Sequence, residues 1–174
     1  MGTVPVAVVG FLVQQFWVEK IFGSLLLVSL GFLVTGGLLF WSRKIEKGLK
    51  GIKGLKDTES LMIGLFQAVA ILPGISRSGA TIVGGLSQKL TREEAFKFSF
   101  YLSIPAVIGA NILQLKSLSG VNFLPQGLLG MVVAFGVGYF SLGILQRVLR
   151  SQKLYYFSFY CFLISLLTFS KILF

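Results

Sequence analysis

Residues 67–82, which read QAVAILPGISRSGATI, interrupt an otherwise apolar run with a proline–glycine pair and a cation. Proline lacks a backbone donor and glycine tolerates unusual dihedral angles, so Pro73–Gly74 predicts the end of one half-helix. Ser76 is a favourable N-cap residue and predicts a second half-helix that runs to about Gln88. The pattern therefore predicts a helix–break–helix unit over residues 59–88.

The composition around this unit is that of a membrane protein. Of the 174 residues, 55% are hydrophobic and 13% are charged, and the mean hydropathy is +0.85. A soluble domain carries about 25% charged residues, so this chain lacks the polar surface that water would require. Six acidic residues and no histidine exclude most acid–base and metal-ligand sites built within the chain itself. The net charge of +10 sits in short clusters between apolar runs, which fits membrane orientation better than nucleic-acid binding.

Five apolar runs outside residues 59–88 are long enough to cross a bilayer, which needs about 17–25 residues. The third run contains Pro105 and opens with a capping-box signature, Thr91 to Glu94. The runs are Gly2–Val18, Ile21–Ser42, Thr91–Leu115, Gln126–Gln146 and Leu154–Ser170. The sequence therefore predicts an all-α polytopic membrane protein, a single domain over residues 1–174 with about five transmembrane helices and one re-entrant hairpin.

The distribution of lysine and arginine decides whether residues 59–88 cross the membrane or return. If they return, the basic stretches at 43–56, 89–97 and 147–153 share one side and hold twelve of the sixteen basic residues. Basic residues accumulate on the cytoplasmic side of membrane proteins, so the re-entrant hairpin is favoured over a single crossing. Arg77 then lies within the membrane, and the remaining basic residues face outward: Lys20, Lys116 and Lys171.

A three-residue repeat, KGLKGIKGLK, occupies residues 47–56 of the first basic stretch. Three glycines argue against a stable helix there, so the repeat predicts a pliable surface loop. Two roles stay open for it: a marker of cytoplasmic orientation and a contact with anionic lipid.

The residues after the Pro73–Gly74 break form a candidate phosphate cradle. A helix N-terminus presents free N–H groups and the positive end of the helix dipole, and both favour an anion. Arg77 adds a planar cation that suits two phosphate oxygens, and hydroxyl donors come from Ser76, Ser78 and Thr81. Inserting an arginine at the centre of a membrane helix costs about 2.5–3.5 kcal/mol of free energy, which argues against an arginine without a function there. Two alternatives stay open: Arg77 joins two helices through carbonyls or a carboxylate, and Gln67 bonds across helices rather than to a ligand.

Residues 73–82, preceded by Gln67 and Ala70, resemble the second signature of the bacterial undecaprenyl-diphosphate phosphatases, the bacitracin-resistance family. The opening Gly2–Pro5 is similar to a mid-chain segment of that family. The resemblance covers essentially this whole chain but only about the C-terminal two-thirds of a family member. It implies a membrane hydrolase that removes the terminal phosphate from undecaprenyl diphosphate, and a fold of inverted-topology repeats with two re-entrant helix pairs.

The same resemblance implies roles for single residues. Arg77, Ser76 and Ser78 would be catalytic, with the arginine on the diphosphate. The substrate-binding residues would be Pro73, Gly74, Gly79, Thr81 and Gln67. The family further implies a bacterial inner-membrane location, bacitracin resistance, a role in peptidoglycan synthesis and cell shape, and a divalent cation, Mg²⁺ or Ca²⁺.

The first signature of the family has no counterpart in this sequence. That signature is a Glu-x-x-x-Glu pair followed by Pro-Ile-Ser-Ser-x-Gly-His, and the family associates it with the cation and with acid–base duty. The chain therefore carries none of the expected metal ligands, and the simplest expectation is N-terminal truncation with impaired hydrolysis. The alternatives are a prenyl-phosphate flippase and an inactive fragment, and the sequence leaves a homodimer open.

Overall fold

The computed structural model describes residues 1–16, 23–115, 124–151 and 153–173. In these ranges the regular structure is helical, apart from one parallel bridge between Lys50 and Leu90 and a 3₁₀ turn at Ile52–Gly54. The expected outward positions of Lys20 and Lys116 fall outside the described residues. The helices are α1 (Val4–Phe16), α2 (Leu25–Trp41), α3 (Asp57–Val69), α4 (Arg77–Ser87), α5 (Arg92–Leu115), α6 (Leu124–Arg150) and α7 (Tyr156–Leu173).

Five of these helices are apolar enough to lie in a membrane. α5 and α6 are also long enough to cross it by themselves, over Arg92–Ile112 and Gly127–Arg150. α1, α2 and α7 contain shorter apolar helices, and α6 has apolar side chains exposed all around it, as expected for a helix in lipid. α6 continues past the predicted end at Gln146 to Arg150. The exposed arginines of its last turn stabilise this extension, because cations interact favourably with the negative C-terminal end of the helix dipole. The predicted all-helical membrane fold is confirmed.

α3 and α4 form a helical hairpin over the residues that are predicted to re-enter. The N–H group of Lys50 donates to the carbonyl of Lys89 at 3.0 Å, and the N–H group of Thr91 donates to the carbonyl of Lys50 at 3.0 Å. The ammonium group of Lys50 also pairs with the carboxylate of Glu59 at 2.6 Å. Lys50 therefore contacts both the start of α3 and the residues just after α4. The hairpin begins and ends on the same side of the fold.

The three basic stretches come together at this same end. The guanidinium of Arg43 lies 5.6 Å from the ring centroid of Tyr155, which joins the first stretch to the residues after the third. Arg150 pairs with Glu93 at 3.0 Å, which joins the third stretch to the second. This arrangement is the one that the charge distribution predicts.

The glycine-rich basic loop is tied down rather than pliable. The N–H group of Ile52 donates to the Glu94 carboxylate at 3.1 Å, and a side chain on Gly48 would overlap the carbonyl of Lys89. These partners lie about 40 residues further along the chain, so the repeat itself gives no sign of them. Since the Glu94 side chain is occupied by the loop, only half of the predicted capping box forms, from the Glu94 N–H group to the Thr91 hydroxyl at 3.2 Å.

α4 lies at the centre of the fold, with residues 79–86 all buried. Small residues let its neighbours approach closely. A Cβ on Gly84 would lie 3.0 Å from the Phe66 ring of α3, and a Cβ on Gly85 would lie 3.0 Å from Ala95 of α5. The apolar core therefore forms around α4, between α3, α5 and α2.

α2 and α7 pack together through a reciprocal pair of buried serines. The hydroxyl of Ser29 donates to the carbonyl of Ser165 at 2.9 Å, and the hydroxyl of Ser165 donates to the carbonyl of Ser29 at 2.8 Å. Beside them, the ring of Phe162 lies directly on Gly36, where no side chain would fit. This contact satisfies the polar groups that α2 would otherwise expose to lipid. It also holds the helix on which the hairpin rests.

Candidate functional site

The hairpin turns over residues 70–76, and we call these residues, together with Arg77 and Ser78 at the start of α4, the tip. α3 ends at Val69, so the predicted end at Pro73–Gly74 is four residues too late. After Val69 the hydrogen bonds join residues three apart instead of four, as in the bond from the N–H group of Leu72 to the carbonyl of Val69 at 3.2 Å. The helix ends early because a proline disfavours helical dihedral angles at the residue before it.

The tip rests on the middle of α2 through backbone-to-backbone contact. Gly74 has φ of +86°, and a side chain there would overlap the carbonyl of Val28. On the facing helix, a side chain on Gly31 would overlap the carbonyl of Pro73. Glycine is required at both positions because only hydrogen atoms separate the two backbones. The hairpin therefore reaches the middle of an apolar helix before it turns back.

Thr35, one turn after Gly31, holds the tip with two hydrogen bonds. Its hydroxyl donates to the carbonyl of Gly74 at 2.9 Å and accepts from the N–H group of Ser76 at 3.0 Å. Thr35 was not among the residues singled out from the sequence. The available signal was that it is the single threonine of the apolar run Ile21–Ser42. A hydroxyl that bonds outside its own helix leaves no other mark in a sequence.

Replacing Thr35 by valine is expected to lower the free energy of unfolding by about 1–3 kcal/mol, because the shape is kept while the Gly74 carbonyl and the Ser76 N–H group each lose a partner. Thermal unfolding of the purified protein in detergent measures this change. Thr168→Val is the matched control, since the hydroxyl of Thr168 donates only to carbonyls of its own helix, at 2.8 and 3.0 Å. Equal loss in the two variants would contradict a specific role of Thr35 at the tip.

Ser76 caps α4 as predicted. Its hydroxyl accepts from the N–H group of Gly79 at 3.2 Å, and the hydroxyl of Ser78 lies 3.5 Å away. α4 begins at Arg77, so the N–H groups of its first turn have no carbonyl of the helix to bond. Two hydroxyls and a helix N-terminus are therefore gathered at one point of the tip.

A cavity of about 450 Å³ adjoins the tip, and we call it the tip cavity. Ser76 and Ser78 belong to its wall, together with Gly74, Ile75 and Gly79. The other walls come from α2, α6 and α7 and are mainly apolar, with Phe32, Leu39, Leu145 and Phe157 among them. A polar patch in an otherwise apolar cavity is typical of a binding site for a ligand with a polar and an apolar part.

Arg77 is directed towards α5 and is not among the residues that line the tip cavity. Its Nη1 atom donates to the carbonyl of Ser103 at 3.3 Å, the one hydrogen bond that this guanidinium makes with the described residues. A backbone carbonyl has two lone pairs, so that of Ser103 can accept this bond besides one within α5. A guanidinium has five N–H donors. The sequence left open that Arg77 joins two helices by bonding to carbonyls. The structure shows one such bond, which is long and occupies one of the five donors.

Thr81 and Gln67 lie between the hairpin and α5, each with 1% of its surface exposed. The hydroxyl of Thr81 donates to the carbonyl of Arg77 at 2.8 Å and lies 2.6 Å from the hydroxyl of Ser99. The Nε2 atom of Gln67 donates to the carbonyl of Leu102 at 3.4 Å, and its Oε1 atom has no partner among the described residues. Both side chains join the hairpin to the turn of α5 that Arg77 contacts. Neither side chain is among the residues that line the tip cavity.

The structure therefore divides the predicted site residues into two groups on either side of the start of α4. The residues on the cavity side are Gly74, Ser76, Ser78 and Gly79. Those towards α5 are Arg77, Thr81 and Gln67. Pro73 lies against α2, where its carbonyl meets Gly31.

The residues that the structure describes do not fit a divalent cation. No group of three or more His, Cys, Asp or Glu side chains comes together among them. The carboxylates that form ion pairs do so with lysines or an arginine of the basic stretches, away from the tip: Glu46, Glu59, Glu93 and Glu94. The Mg²⁺ or Ca²⁺ that the resemblance implies finds no ligand set here, and no chemical step is derived through it.

Comparison with known proteins gives a match to one family. Residues 1–167 match the family model described as bacitracin resistance protein BacA. A curated relative from Thermosipho africanus, named undecaprenyl-diphosphatase, is 42% identical over 97% of this chain. A relative of the same name from Desulfosudis oleivorans is 43% identical over 94% of this chain. The chain spans only 66% and 60% of the lengths of these two relatives.

A third relative is nearly matched in length. It comes from Methanothermobacter thermautotrophicus, is also named undecaprenyl-diphosphatase, and is 40% identical over 96% of this chain and 94% of its own length. Relatives of two lengths therefore carry the same name, and this chain covers 94% of the shorter one.

Proposed function

The chain belongs to the bacitracin resistance protein BacA family, and from this membership we propose that it takes part in hydrolysing undecaprenyl diphosphate. In that reaction water attacks the terminal phosphorus and the bond to the bridging oxygen breaks, which yields undecaprenyl phosphate and inorganic phosphate. The names of three relatives that are 40–43% identical support this substrate. The proposal extends to a multi-pass protein of the bacterial inner membrane that recycles the lipid carrier of cell-wall synthesis and thereby counters bacitracin.

The observation that carries the proposal is the arrangement at the start of α4. The helix N-terminus, two serine hydroxyls and a guanidinium held by a single 3.3 Å bond lie within one turn of helix. Phosphoryl transfer requires the charge on the transferring group to be neutralised. In the proposal, the N–H groups of the first turn and the hydroxyls of Ser76 and Ser78 bind the diphosphate. The Arg77 side chain exchanges its bond to the Ser103 carbonyl for the terminal phosphate, whose charge it neutralises. Thr81 and Gln67 hold the hairpin against α5.

The tip cavity supports a lipid as the carrier of that diphosphate. Its walls are mainly apolar, and it adjoins the hydroxyls of Ser76 and Ser78. A volume of about 450 Å³ accommodates only the first part of a long prenyl chain. In the proposal the remainder of the chain lies in the surrounding bilayer, where it needs no further binding site.

This chain provides the binding part of the site and no residue suited to activate water. Among the described residues, no carboxylate lies at the tip, and the sequence contains no histidine. A serine needs a neighbouring base to act as a nucleophile. The proposal therefore assigns the acid–base residues, and any Mg²⁺ or Ca²⁺, to the part of the longer relatives that this chain does not cover, which the family resemblance implies is the N-terminal third.

Two assays of the reconstituted protein test the proposal, one for phosphate release from undecaprenyl diphosphate and one for movement of labelled lipid across the vesicle bilayer. We expect little phosphate release from the 174-residue chain and ready release once it is joined to the N-terminal third of the Thermosipho africanus relative. If the 174-residue chain released phosphate by itself and Arg77→Ala abolished that release, the acid–base residues could not belong only to the part that this chain lacks, and the proposal would be contradicted. Lipid movement without phosphate release from either chain would replace the hydrolase with a flippase.

A further inference from the structure

The basic loop at residues 47–56 carries the most exposed large apolar side chain described for the molecule. Leu49 is 93% exposed, more than any apolar side chain on the lipid-facing helices. It lies between Lys47 and Lys50 on a loop, not on a helix. Neither the fold nor the proposed hydrolysis uses this side chain.

The loop is held flat against the ends of the membrane helices. Gly48 lies on the carbonyl of Lys89, Lys50 bridges to Leu90, and Ile52 bonds to Glu94. Residues 88–91 join α4 to α5, and residues 92–94 form the first turn of α5. The candidate membrane span of α5 begins at Arg92, so the loop lies at the end of an apolar span, which is the depth of the lipid headgroups.

The loop also carries more positive charge than its neighbouring carboxylates, Asp57 among them, can balance. Lys50 pairs with Glu59 at 2.6 Å, and Glu46 pairs with Lys89 at 3.3 Å, so the nearby glutamates are occupied. Three lysines of the repeat are exposed and form no ion pair with the described residues: Lys47, Lys53 and Lys56. An apolar side chain among cations at headgroup depth is complementary to an anionic lipid surface.

We propose that residues 47–56 form an interfacial anchor on the cytoplasmic leaflet. Leu49 inserts at the boundary between headgroups and acyl chains, and the three exposed lysines contact the phosphates of anionic lipids. The loop is suited to this role because its contacts with residues 89–94 fix its backbone in advance. The anchor does not depend on the proposed hydrolysis, and its test contains no activity measurement.

The insertion of Leu49 is tested with a fluorescent label on Leu49→Cys in a Cys161→Ala background. The full chain is reconstituted in vesicles with brominated acyl chains, of phosphatidylcholine alone or mixed with phosphatidylglycerol. We expect bromine to quench the label in the mixed vesicles and to quench it at least about threefold less without the anionic lipid. A label that stays unquenched in both vesicles would overturn the anchor and indicate a soluble partner instead.

The role of the three lysines is tested by two variants that remove the same charge from the same end. The first carries Lys47→Gln, Lys53→Gln and Lys56→Gln, and the second carries Lys89→Gln, Lys97→Gln and Arg150→Gln, whose cations are paired with glutamates. We expect the first variant to lose the quenching that depends on phosphatidylglycerol and the second to keep it. Equal losses would show that net charge, not the loop, attracts the lipid, and would overturn the proposal.

Discussion

Replacing Arg77 by alanine is expected to lower phosphate release by at least about 10²–10³-fold, in a chain joined to the N-terminal third of a longer relative. The guanidinium is the single cation at the tip, and the terminal phosphate loses its neutralising partner without it. Arg77→Lys should also lower release severely, because lysine lacks the planar fork that binds two phosphate oxygens at once. Initial rates at saturating substrate, compared with those of the parent chain, measure the effect.

Two comparisons separate a role in the reaction from a role in the fold. Arg77 makes one 3.3 Å hydrogen bond with the described residues, so its loss should change the free energy of unfolding by less than about 1 kcal/mol. Arg147→Ala removes an exposed arginine from the last turn of α6 and should leave the rate unchanged. Full rates in Arg77→Ala, together with reduced stability, would assign Arg77 to helix packing.

Replacing Gly31 by alanine is expected to displace the tip from α2 and to abolish substrate binding. The new methyl group would overlap the carbonyl of Pro73, and backbone cannot rotate away as a flexible side chain can. Overpacking of this kind costs about 1–3 kcal/mol or more. Thermal unfolding in detergent measures the loss of stability, and binding of undecaprenyl diphosphate measures the loss of the site.

Gly37 provides the matched control for this substitution. It lies on the same helix, and a side chain there would meet nothing within 4 Å. Gly37→Ala should therefore leave binding intact and keep or slightly raise stability, because alanine is the better helix former by about 1 kcal/mol. Normal binding in Gly31→Ala would mean that the tip does not rest on α2 as described.

The local features of the hairpin could be predicted because their causes lie within a few residues. Ser76 caps α4 through a bond to Gly79, three residues later. The return of the hairpin to the side on which it begins follows from counting lysines and arginines between apolar runs. The premature end of α3 was in principle foreseeable as well, since proline restricts Leu72 before it.

The features that the sequence did not reveal depend on partners far along the chain. Thr35 holds the tip across about 40 residues, and the basic loop is fixed by Glu94 across a similar distance. The separation of Arg77 from Ser78 has a different cause. Successive residues of an α-helix point about 100° apart, so these two side chains face different neighbours, and which neighbour each meets is decided by the packing of α2 and α5.

The reciprocal bonds between Ser29 and Ser165 have a consequence for the order of biosynthesis. The two serines are 136 positions apart. The ribosome therefore synthesises nearly all of the polypeptide before Ser29 can form its hydrogen bonds with Ser165. Until then α2, on which the tip rests, lacks the helix against which it packs. Nascent chains that terminate before the last segment should consequently be recognised by quality-control proteases as unfinished, although every residue of the PGISRSG string has already been translated.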